Sequence, residues 1–220
     1  MNSIFLALEH LRSQLTQALP AIPGLRHFDV TFPLNDAFDP LAWLGAQQCY
    51  PQFYWQQRNG DEELAALGAV TQFSSLALAS QFLREQNAAN DTRICGLNAF
   101  NPEQGSLFLP RLLWRRSAGN ATLRLQLWSD DSLQDDARTA LDFLQQLHAA
   151  RPIRPLSVQV ECETHHPQKQ EWLELIRKAT ETIARGEFEK VVLARATDLQ
   201  FKQRVNPVAL MAASRALNLN

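Results

Sequence analysis

Apolar positions recur along this chain with two periods, one helical and one alternating, and their succession predicts the elements. Ile4, Phe5, Leu8, Leu11, Leu15 and Leu19 stand three or four residues apart among Glu9, His10, Arg12 and Gln14, which predicts an amphipathic helix ahead of Pro20 and Pro23. Residues 26–32 read as a strand, 33–40 as a polar turn holding Asn35, Asp36 and Asp39, and 41–46 as a short helical piece. Two extended runs, 51–58 and 64–70, flank Asn59-Gly60 and predict an antiparallel hairpin; the polar Asp61-Glu62-Glu63 makes its loop longer than two residues. Leu76, Leu78, Ala79, Phe82 and Leu83 line one stripe of 75–86, so a helix is expected to cross that sheet. Strands follow at 93–100, 106–114 and 122–128, with Gly96 marking a bulge or a close backbone approach in the first. The acidic stretch 130–136 suits the positive end of a helix running on to 148.

The two prolines of Arg-Pro-Ile-Arg-Pro at 151–155 make the best linker in the chain. Beyond it, 157–163 alternates as a strand, and 168–185 forms a helix with Trp172, Ile176, Ala179 and Ile183 on one face, Leu175 widening the stripe and Gly186 as its stop. Val191-Val-Leu-Ala, bracketed by Lys190 and Arg195, reads as a buried strand. Asn206-Pro207 is an N-cap followed by a first-turn proline and opens a helix carrying Val208, Leu210, Met211 and Ala213. The expected fold class is α+β, an antiparallel sheet with helices packed to one side, organised as an N-terminal region 1–160 and a segment 161–220. A helix reaching Leu217-Asn-Leu-Asn with nothing behind it to cover its apolar face predicts an incomplete domain.

Composition narrows the function classes. With 220 residues, 45% of them hydrophobic, the chain can bury a real core. Twenty-one basic against 23 acidic side chains leave a net charge of −2, which offers no general attraction for a phosphate backbone, so no nucleic-acid partner is expected. The N-terminal stretch has neither the basic start and unbroken apolar run of a signal peptide nor a run of about 20 apolar residues, so no membrane partner is expected either. Cys49, Cys95 and Cys162 are odd in number and far apart, with no Cys-x-x-Cys pair; reduced thiols and a cytoplasmic location are the default.

Candidate chemistry concentrates at 190–195. Of the four lysines, Lys169, Lys178 and Lys202 read as solvated, whereas Lys190 stands at the mouth of the apolar run. Desolvation there would disfavour the ammonium and suit the lysine to a general base or nucleophile; the alternative is a side chain snorkelling beside Glu187 or Glu189. Arg195, five residues on and of opposite strand parity, reads as a buried structural ion pair or as an anchor of an active-site wall. His165-His166 point apart on extended backbone and lack a third ligand at useful spacing, so no metal-ligating residue is assigned. No Gly-rich dinucleotide, phosphate-loop or nucleophile-elbow motif occurs, and no cofactor-binding residue is assigned. Arg111, Arg115 and Arg116 beside Trp114 read as a solvated strand edge, and Tyr50, Phe53, Tyr54 and Trp55 as sheet core.

The run Gly-Glu-Phe-Glu-Lys-Val-Val-Leu-Ala-Arg at 186–195 resembles the signature of the chorismate-utilising enzymes. Residues 51–63, 93–100, Leu109-Pro-Arg111 and 191–199 are similar to the menaquinone-pathway isochorismate synthases of enteric bacteria within that family, and the likeness runs through the N-terminal half of such a protein. The resemblance implies a large two-layer β core wrapped by helices, here truncated, with N- and C-terminal strands interleaved. It implies chorismate as substrate and an isomerase step in menaquinone biosynthesis, in which Lys190 activates water for attack at C2 while an acid assists loss of the C4 hydroxyl. It also implies Mg2+, with the metal ligands and the acid beyond residue 220. The isolated chain is then expected to be inactive unless the missing C-terminal half is supplied, for instance as a separate chain. Salicylate, anthranilate and aminodeoxychorismate synthases are the family alternatives, and a non-catalytic scaffold or ligand-binding remnant is the alternative outside catalysis.

Overall fold

The computed structural model describes residues 3–34, 38–101 and 103–218. Asn35 and Asp36 of the expected turn lie outside the described residues. Two compact units emerge, Met1–Ile153 with Ser214–Asn220, and Arg154–Ala213.

The first unit is built on a six-stranded antiparallel sheet. Its strands are β1 (Gly24–Pro33), β2 (Gln52–Gln56), β3 (Glu62–Phe73), β4 (Cys95–Asn98), β5 (Gly105–Ser117) and β6 (Asn120–Ser129), in the order β1-β6-β5-β3-β2 with β4 also on β5. The helices are α1 (Ser3–Leu15), α2 (Pro40–Gly45), α3 (Leu76–Glu85) and α4 (Leu133–Gln145). Three begin on side-chain caps: Asp39, Ser75 and Ser132 accept the amides of Leu41, Leu78 and Asp135.

Register lines up the alternating residues into rows. Phe28, Leu125, Leu112 and Leu67 stand opposite one another on successive strands, as do Val30, Leu123, Trp114 and Ala65. Both rows enter one core with Leu8 and Leu11 of α1, Trp43 and Leu44 of α2, and Ala140 and Leu144 of α4. Residues of the other parity, Leu64, Ala66, Leu113, Cys95 and Phe108, form a smaller cluster. Two polar ties hold the helices: Arg12 Nη2 donates to the Leu144 carbonyl (2.6 Å), and Gln47 exchanges two hydrogen bonds with the His148 backbone (2.8 and 2.9 Å).

Gly96 makes the close approach its position in a strand suggests. Its φ is 139°, and a Cβ there would stand 2.1 Å from the Ser106 carbonyl oxygen. The hairpin loop between β2 and β3 spans five residues, longer than two as the acidic run requires.

Three expectations are corrected here. The arginine cluster is no solvated edge, because β5 is an interior strand: Arg111 is buried and bidentate to Asp136, at 2.6 and 2.7 Å, while Arg115 pairs with Glu62 and Arg116 with Glu63. Of the four aromatics assigned to the core, Tyr50 and Trp55 are exposed and Phe53 and Tyr54 half-buried, since β2 is the sheet's last strand. On α3 only Ala79 is buried; Leu76 and Leu78 are exposed.

The second unit contains β7 (Val160–His166) and β8 (Ala196–Phe201), an antiparallel pair, with α5 (Lys169–Ala184) between them. The last helix, α6 (Pro207–Asn218), begins in this unit and is capped by Asn206 Oδ1, which accepts the Val208 and Ala209 amides. The strand expected at 157–163 is displaced towards the histidines because its ladder partner lies opposite 160–166. The buried strand expected at 191–194 is not formed. Its residues are irregular and mostly exposed, Val192 at 81%, because the ladder with β7 starts only at Ala196 and extended backbone needs a partner for its amides.

Candidate active site

The segment bearing Lys190 leaves α5 through a tight C-terminal stop. Gly186, with φ 76°, donates to the Ile183 carbonyl (2.9 Å) and Glu187 to the Thr182 carbonyl (3.3 Å), the paired bonds of a Schellman turn. Arg185 reinforces it, donating from Nε to Glu187 (2.7 Å) and from Nη2 to Thr182 Oγ1 (3.1 Å). At the other end of α5, Glu171 accepts the Gln168 amide (3.0 Å), half of a capping box.

Lys190 is exposed and makes no hydrogen bond or ion pair with another described residue, so neither Glu187 nor Glu189 holds it as the snorkelling alternative required. Desolvation of its amine by a strand mouth is likewise not supplied within the unit. Its neighbours in the chain, Phe188, Val191 and Val192, are exposed apolar residues. Arg195 is exposed too, and its expected buried ion pair is replaced by a single hydrogen bond from Nε to the Pro167 carbonyl oxygen (3.2 Å).

The two histidines separate, as adjacent strand residues must. His165 Nδ1 lies 2.9 Å from Thr197 Oγ1 and His166 Nε2 lies 3.4 Å from Asp198, both across the β7–β8 ladder. Among the described residues no group of three or more His, Cys, Asp or Glu side chains could hold a metal ion.

Two polar clusters of the first unit escaped the sequence reading. Arg124 is buried on the outer row of the sheet, where all three of its nitrogens bind Asp29, directly across on β1, and Asp91. Arg124 holds the Asp91 carboxyl below its usual range despite some burial. The second cluster joins Asp39, Tyr54, Glu63 and Arg215. Arg215 is bidentate to Asp39 at 3.0 Å, and Tyr54 donates to the buried Glu63 at 2.5 Å. Burial and the Glu63 carboxylate push the Tyr54 phenol up. Burial alone would raise Asp39, but Arg215 and the Leu41 and Ala42 amides outweigh it and the carboxyl is lowered. Partners separated by 161 and 176 residues carry no signal in sequence spacing. Each charged side chain of both clusters has a partner of opposite charge, one arginine serving two carboxylates in each, and both read as structural.

An α+β chain with an antiparallel sheet and a helix-flanked lysine motif defines a class, and comparison with known proteins agrees with it. The profile of the chorismate binding enzymes matches residues 97–220. The chain belongs to the chorismate binding enzyme family. Among its relatives, isochorismate synthase MenF of Escherichia coli (strain K12) is 57% identical over 220 residues, covering 100% of this chain and 51% of that protein. The MenF isochorismate synthases of Haemophilus influenzae and Pasteurella multocida are 30% and 29% identical, each over 96% of the chain and about half of their own length. A solved structure of the menaquinone-specific isochorismate synthase MenF from Escherichia coli superposes with a TM-score of 0.91 at 56% identity, over 98% of this chain and 50% of that one. The chain thus spans about half the length of the curated relatives it matches.

Proposed function

We propose that this chain provides the base-bearing half of an isochorismate synthase. The observation that carries the reading is Lys190 in its 186–195 motif within a chain 57% identical to the E. coli synthase. Lys190 Nζ, as the free amine, takes a proton from a water molecule whose oxygen bonds to C2 of chorismate. The C1=C2 pair moves to C1=C6, the C5=C6 pair moves to C4=C5, the C4–O bond breaks, and the departing hydroxyl leaves as water on receiving a proton from an acid. One water enters and one leaves, so the reaction is a net isomerisation.

Residues 161–220 open the chorismate-binding region in this reading, and residues 1–160 support it. Phe188, Val191 and Val192, next to Lys190 in the chain, are exposed apolar residues fit to be covered. The acid and a Mg2+ site are assigned to no residue described here. The relatives' remaining half, present as further sequence or as a separate chain, is the implied partner. Chorismate is the implied substrate. No helix among the described residues is long and apolar enough to cross a membrane, and with three free thiols a cytoplasmic location accompanies the proposal.

The test combines this chain with the separately expressed second half of the E. coli relative, chorismate and Mg2+, without an ammonia source. Isochorismate as the product is expected from the combination and not from this chain alone. Lys190→Ala should lower turnover about 10²- to 10⁴-fold, and Lys190→Arg should not restore it, because a guanidinium stays protonated. Full activity of the chain alone, or of Lys190→Ala in the combination, would overturn the assignment. Release of pyruvate with salicylate would instead identify a salicylate synthase, and turnover appearing only with ammonia one of the aminating synthases. The exposure of Lys190 favours a second reading, a ligand-binding scaffold, which predicts chorismate binding by the chain with no turnover in either preparation.

A further inference from the structure

A base must be held in place, and the segment carrying Lys190 has no ladder to hold it. Residues 187–195 depart from the C-terminal end of α5, where the Gly186 and Glu187 amides close on Ile183 and Thr182. They return to its N-terminal end, where Arg195 Nε donates to the Pro167 carbonyl oxygen, one residue ahead of the Gln168 cap. The 16 residues of α5 measure about 24 Å along the axis. Eight residue steps from Glu187 to Arg195 reach at most about 28 Å, so the return runs largely extended. Lys190 therefore rides on a strap tied at one end to the C-terminal stop of α5 and at the other, beside the first ladder pair His166–Ala196, to the residue ahead of the α5 cap. Arg195 has no carboxylate partner among the described residues, and its recorded bond goes to a neutral carbonyl, so its contribution here is geometric.

The geometry points to Arg195 as a positioning residue for Lys190: its Nε–H pins the strap to the Pro167 carbonyl oxygen and so sets where the amine stands. This role rests on the reading of Lys190 as the base. Three substitutions separate geometry from charge. Glutamine places an amide N–H the same number of bonds from the backbone as Arg Nε but carries no charge; lysine keeps the charge one bond farther out; alanine removes both.

In this chain, ¹⁵N order parameters of residues 188–194 should fall from the rigid range near 0.85 to below about 0.6 in Arg195→Ala, stay near wild type in Arg195→Gln, and leave α5 unchanged. In the combination with the second half of the E. coli relative, Arg195→Ala should lower kcat about tenfold at unchanged KM and unchanged pKa of the pH-rate profile, with Arg195→Gln restoring most of the loss. Unchanged order parameters in Arg195→Ala overturn the proposal, as does rescue by lysine with failure of glutamine. A loosened strap with wild-type kcat overturns the positioning role alone. No isochorismate from the wild-type combination overturns the base assignment itself and this role with it.

Discussion

The unit formed by Met1–Ile153 with Ser214–Asn220 and the unit Arg154–Ala213 follow the same patterning rules to opposite ends. In the first, alternating strand residues meet across the ladder, and Leu67, Leu112, Leu123 and Leu125 lose all contact with water. In the second, only Thr182 and Ala209 are buried among the described residues, while Leu173, Leu175, Ile176, Ile183, Val192 and Leu199 remain exposed. Both carry amphipathic periodicity, but only the first also holds the surface that its apolar face needs. Patterning tells which face of an element seeks cover. It does not tell whether the cover lies in the same unit.

The sharpest contrast should come from the first unit's buried charges. Asp136→Ala leaves the Arg111 guanidinium, only 8% exposed, without its carboxylate and should cost about 3–5 kcal/mol in urea unfolding. Leu125→Ala in the fully buried row should cost about 3 kcal/mol by the same measurement. Gly96→Ala should cost about 2 kcal/mol, since its Cβ would meet the β5 backbone, and the loss should appear as faster amide exchange in β4.

A smaller effect is expected from acid. The folded Asp39 carboxyl is lowered from 3.8, so its contribution to stability is complete above the unfolded value and is lost as pH falls through the folded one. Arg215→Ala should flatten that acid limb, read as a smaller drop in melting temperature between pH 5 and 2. Smallest of all, Ile176→Ala on the exposed face of α5 should change stability by less than about 0.5 kcal/mol. A loss as large as that of Leu125→Ala would show a core in the second unit and dissolve the contrast between the two.

Much of the architecture was legible before folding. The helix cap at Asn206 and the long-looped hairpin depend on neighbours within a few residues, and a glycine inside a strand pattern marked the close approach at Gly96. The candidate site was legible as a motif, since the 186–195 run needs no tertiary partner to be recognised. The environment of Lys190 was not. A β-branched run reads as a buried strand wherever it occurs, yet 191–194 has no ladder partner here and stays in water. Arg111 shows the converse, because strand position, which spacing cannot report, turned an apparent edge charge into a buried clasp.

The sequence by itself determined the local elements, their caps and turns, and the lysine motif that marks the family, because the interactions behind them close within one or two turns of chain. Tertiary structure decided which apolar faces found cover, which charges were buried, and the two-ended attachment of the Lys190 strap. Those outcomes depend on groups brought together across many residues of chain, where only the register of the sheet and the packing of helices set who meets whom.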